Sequence, residues 1–112
     1  MMSVDWEIKF VNAKAEEEVL NLSADLKAKF LHVTEMIISF GTHNVGLPHI
    51  KPLENKLWEL RLKGRDAIAR SIYVLASGRK VVILHTFIKK TQKTPKHELS
   101  IAYTRLKEPQ ND

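Results

Sequence analysis

Two arginines, Arg61 and Arg70, sit in segments that otherwise alternate or run apolar, LWELRL and AIARSIYVLA. Four lysines, Lys89, Lys90, Lys93 and Lys96, crowd the stretch IKKTQKTPKHE at 88–98, whose one carboxylate is Glu98. A cation in the middle of a strand needs a partner or a ligand. Guanidinium forks grip phosphate through paired bonds, and ammonium groups add point charge. Two arginines on neighbouring strands and lysines at the end of a third would therefore converge on one phosphate. Thr91, Gln92 and Thr94 would add neutral donors, and a helix starting just beyond would add amides and its dipole. The bland readings are an ion pair of Arg61 or Arg70 with Glu59 or Glu54, and a solvated lysine run.

Other chemistries have little support. The five histidines, at 32, 43, 49, 85 and 97, show no pair at zinc-site spacing, and cysteine is absent, so neither a metal centre nor thiol or disulfide chemistry is expected. No glycine-rich loop announces a triphosphate site, and no serine, histidine and aspartate set suggests acyl transfer. His85, two residues from Phe87 on one strand face, is either held by a backbone carbonyl or a proton acceptor. His32 and His97 read as surface helix residues, and Trp6 and Trp58 as core.

The elements that must carry these residues are legible from periodicity. VDWEIKFV, residues 4–11, alternates as a half-buried strand. A helix over 13–22 has its acids in the first turns. Ser23 then caps a second over 24–40, where Leu26, Phe30, Val33 and Ile37 recur at helical spacing before Gly41. GTHNVGLPHIKP reads as a loop. Strands are expected at 57–62, 67–76 and 80–88, the last two joined through a turn at Gly78. Thr94 and Pro95 read as cap and first residue of a closing helix with Leu99, Ala102, Tyr103 and Leu106 on one stripe. This order predicts a single α+β domain over 1–112: an N-terminal strand and helical hairpin, then a three-stranded antiparallel meander and a C-terminal helix. The helices are expected on one face of the sheet, with the cationic site on the open one.

Composition agrees. The chain has 112 residues, enough for one core without staples, and a formal charge of +5. From Arg61 to Lys107 there are 12 basic residues against two acidic ones, which makes polyanions the natural partners. The opening MMSVDWEIKF lacks a basic start followed by an apolar core, and apolar runs are short, so no targeting or membrane span is expected. The lack of cysteine fits a reducing cytoplasm.

Taken together, KPLENKLWELRLKGRDAIARSIYVLA at 51–76 and VVILHTFIKKTQKTPKHELSIAYTRLKE at 81–108 resemble the RelE/ParE superfamily of toxins from toxin–antitoxin pairs, most closely its phage-derived HigB-like branch. The resemblance implies a cytoplasmic, ribosome-dependent messenger endonuclease without cofactor, neutralised by a helix-turn-helix antitoxin. RNA cleavage without metal needs a base for the 2′-hydroxyl, cations for the phosphorane and an acid for the leaving oxygen. Carried over by position, Arg61 and Arg70 would clamp the phosphate and Lys89 and Lys90 would bind backbone or stabilise the transition state. Lys93, Thr91 and Thr94 would add RNA contacts, and a lysine of depressed pKa or His85 would act as base. The rival readings are a ParE-like gyrase inhibitor and a non-catalytic RNA- or ribosome-binding module.

Overall fold

A computed structural model describes residues 5–90 and 93–108. Five strands form one mixed sheet: β1 (Glu7–Phe10), β2 (Ile50–Pro52), β3 (Trp58–Lys63), β4 (Ile68–Ala76) and β5 (Lys80–Lys89), in the order β1-β5-β4-β3-β2. Three helices accompany it, α1 (Ala13–Leu20), α2 (Ala24–Phe40) and α3 (Lys96–Leu106). All neighbours pair antiparallel except β1, which runs parallel to β5. The strand over 50–52 was expected to be loop. It forms because Ile50 buries its side chain in the core while the segment pairs with Trp58–Leu60.

Local chemistry starts each helix differently. Asn12 caps α1 by accepting from the Ala15 amide at 2.8 Å. Ser23 occupies the expected position ahead of α2, but its hydroxyl donates to Asp25 instead. Gly41 ends α2 at φ +81°, and a Cβ there would stand 2.9 Å from the Trp6 indole nitrogen, so glycine alone fits both backbone and neighbour. Pro95, not Thr94, is the residue flanking α3, and the Thr94 side chain is used elsewhere.

The helices do not share one face, which corrects the sequence expectation. Adjacent residues of a strand point to opposite faces. Tyr73, Leu60, Leu62, Ala69 and Ile83 pack against Leu26, Phe30, Val33 and Ile37 of α2. Ile72, Leu84 and Phe87, with Leu57, pack against Leu99, Ala102 and Tyr103 of α3. The apolar residues on both sides of β4 and β5 thus have a helix on each side to bury them. The open part of the second face is what α3 leaves uncovered. A bulge between Ile72 and Tyr73 puts Ile72 opposite His85 and Tyr73 opposite Ile83.

Candidate functional site

Register places the cations in rows on the face shared with α3. Cross-strand partners point the same way, so Lys51, Glu59, Ile72 and His85 form one row, Arg61, Arg70 and Phe87 the next, and Lys63, Ile68 and Lys89 the third. The expected convergence of Arg61, Arg70 and Lys89 follows from this pairing. A cavity of about 320 Å³ opens beside them, lined among others by Lys51, Glu59, Lys89, Lys93 and Thr94.

At the centre lies a carboxylate that the sequence offered only as a structural partner. Glu59 Oε2 sits 3.4 Å from Arg70 Nε and 3.9 Å from Arg61 Nε. Thr94, expected among the RNA contacts, donates its hydroxyl to Glu59 Oε1 at 3.0 Å and so ties the start of α3 to the pair. The ion-pair reading holds: Glu59 pairs with both arginines, while Arg61 remains partly exposed. Arg70 is buried. Its Nη1 donates to the Ala69 carbonyl, but its Nε makes no hydrogen bond among the described residues. That nitrogen faces the Glu59 carboxylate at 3.4 Å, so the buried guanidinium is held as an ion pair. The signal for Glu59 was available in W-E-L-R, where alternation puts it on the face of Arg61.

The lysines divide. Lys89 is half-buried at the end of β5, and its pKa is drawn below the ordinary lysine value by burial first and then by Arg70, while Glu59 opposes the shift and Arg61 and Lys51 add to it. Lys90 is exposed just past the strand, so it is Lys89 that lines the cavity. Lys93 lies on the cavity wall, and Thr91 falls outside the described residues.

His85 is held by carboxylates, not by the backbone carbonyl that was one expectation. Its Nδ1 lies 3.0 Å from Glu18 Oε1 and its Nε2 2.6 Å from Glu98 Oε1, with the ring stacked on Phe87. Burial opposes the charged ring, but the bonds to Glu18 and Glu98 outweigh it and raise the His85 pKa. A ring with both nitrogens engaged has no open site to take a proton from a substrate, so this geometry does not provide the other expectation, a free base. The cluster has a structural cause. β1 pairs with β5 only as far as Ile83, and beyond it Glu18 accepts the Thr86 amide while Arg105 donates to the Leu84 carbonyl, satisfying the edge where the strand partner stops. Arg105 also forks onto both oxygens of Glu18 at 2.9 Å. Burial works against the Glu18 carboxylate, yet its bonds to His85 and Arg105 hold it down to about 2.

No group of metal-ligating side chains is present among the described residues, and no described helix is long and apolar enough to cross a membrane. Residues 17–107 match the family described as Phage derived protein Gp49-like (DUF891), and the chain belongs to that family. It is a RelE/HigB-type toxin family of toxin–antitoxin systems, which implies an antitoxin partner. No curated protein matches the chain.

Proposed function

We propose that this protein is the toxin of a toxin–antitoxin pair and acts as a ribosome-dependent, metal-independent messenger endonuclease. The observation that carries the reading is the cross-strand grouping of partly exposed Arg61 with Arg70, and of Lys89, its pKa depressed, on the same face. In this mechanism Arg61 and Arg70 bind the non-bridging oxygens of the scissile phosphate and stabilise the charge of the phosphorane. Neutral Lys89 takes the proton of the 2′-hydroxyl, whose oxygen attacks the adjacent phosphorus. The bond to the 5′ oxygen breaks, and that oxygen takes a proton from water, while Lys93 contacts the RNA. The products are a 2′,3′-cyclic phosphate and a 5′-hydroxyl. His85 is a fixed imidazolium that positions the start of α3 and hence Thr94 against Glu59. Lys90 contacts RNA backbone outside the reacting centre, as does Thr91.

The mechanism needs no cofactor, its setting is the cytoplasm, and the antitoxin is a helix-turn-helix protein. Inducible expression tests it. The wild-type chain arrests growth and its messengers carry new 5′-hydroxyl ends, whereas Arg61→Ala accumulates as folded protein and permits growth. Equal toxicity of the two chains overturns the site assignment. Arrest without messenger cleavage, accompanied by loss of supercoiling, would transfer the protein to the gyrase inhibitors.

A further inference from the structure

A second cavity, also of about 320 Å³, lies round the edge of β3 between Lys29 of α2, the residues ahead of β2, and Lys63. Its origin is the shortness of β2. Pairing of β2 with β3 ends at Leu60, and beyond it the Arg61 amide reaches only the His49 carbonyl, at 2.8 Å. Arg61 and Arg70 line this cavity, while Glu59, their shared partner, lines the other, so the two meet at the arginine pair. No carboxylate is among its lining residues. Lys29 is half-buried and Lys63 exposed, and Pro48 and partly exposed Ile68 give it an apolar wall. His49 completes that wall. Burial first, then Lys29 and His32, lower its pKa, which favours the uncharged ring.

We propose that this cavity holds the nucleotide next to the scissile phosphate of single-stranded RNA, with its phosphate on Lys29 and Lys63 and its base against Pro48, His49 and Ile68. The assignment rests on the reading of Arg61 and Arg70 as a phosphate clamp. Cations beside a largely apolar wall are the pairing that unpaired nucleotides need, since the backbone supplies charge and the base an apolar face. A free phosphate would use the lysines and leave the wall idle.

The test uses the full chain and a fluorescent single-stranded RNA hexamer methylated at every 2′-hydroxyl, which cannot be cleaved by the route above. Binding is followed by anisotropy across a salt series for wild type, Lys29→Gln/Lys63→Gln and His49→Ala, with urea unfolding as the control for fold. The lysine double variant binds roughly tenfold more weakly, and its salt slope is shallower by about 0.7, the value for one lost phosphate contact on a single strand. His49→Ala weakens binding without changing that slope, and an abasic hexamer abolishes the His49 effect. Binding by the lysine double variant equal to wild type, or no binding by the wild type, overturns the proposal. Binding through Lys29 and Lys63 with no messenger cut keeps the cavity and sinks the endonuclease reading. Cleavage by a protein whose hexamer binding ignores both lysines does the reverse.

Discussion

Glu59 and Arg70 face one another across neighbouring strands at 3.4 Å, with side chains only 3% and 5% exposed. A buried pair of this kind is a stronger commitment than a surface bridge, because removing one partner strands the other charge away from water. Here the stranded group would be the guanidinium assigned to the phosphate.

Glu59→Gln therefore destabilises the fold by about 3–5 kcal/mol, measured as a lower urea midpoint at unchanged slope. Replacing both partners by apolar residues, Glu59→Leu with Arg70→Met, recovers most of that loss and abolishes toxicity. A Glu59→Gln protein as stable as wild type would show that the pair does not hold the site together.

Lys89 must be neutral to take a proton, so the cleavage rate rises with pH and levels off below the ordinary lysine value of 10.5. Lys89→Arg keeps the positive charge but cannot deprotonate in this range, and loses roughly 10²- to 10⁴-fold in rate. A variant as active as wild type, or a rate that falls as pH rises over the lysine range, would remove Lys89 from the role of base.

The His85 cluster makes stability fall off on both sides of mildly acidic pH. The folded pKa of His85 is raised, so its contribution is complete below 6.5 and is lost as pH rises through the folded value. That of Glu18 is lowered from 4.5 to about 2, so its contribution is complete above 4.5 and is lost as pH falls towards 2, on the order of 3 kcal/mol in all. Urea midpoints across pH show both losses in the wild type, and His85→Phe lacks the alkaline one. A flat profile between pH 6 and 9 in the wild type counts against a charged ring (~6.5 being the ordinary histidine value).

Tyr73 is fully buried, and its hydroxyl finds no hydrogen-bond partner among the described residues, so burial raises its pKa. Tyr73→Phe removes an unsatisfied group without opening a large cavity, and thermal unfolding should show it neutral or up to about 1 kcal/mol more stable. A clear loss of stability would mean that the hydroxyl is satisfied in solution.

Much of this was legible in the sequence because local periodicity decided it. The helix over 24–40 and the central strands match their expected spans to within a residue or so, since Leu26 to Ile37 and the alternation around Trp58 fit one period each. What periodicity could not show was the side of the sheet on which α3 lies. A strand apolar on both faces demands two covers without saying which helix provides which. The site was half legible for a related reason. Arg61 and Arg70 announce themselves as cations out of place, whereas Lys89 is one of a crowd of four lysines and Glu59 one of two possible ion-pair partners. Glu18, Glu98 and Arg105 receive no role of their own from the sequence. Their roles depend on where β1 stops pairing with β5, a tertiary fact that no local spacing carries.

The most direct measurement of the central claim is primer extension on a defined messenger incubated with the purified protein, with and without translating ribosomes, for wild type, Arg61→Ala and Lys89→Arg. Cuts that require ribosomes, leave 5′-hydroxyl ends and vanish in both variants are the predicted result. An uncut messenger in the wild-type reaction with ribosomes, or cuts that persist in both variants, would contradict it.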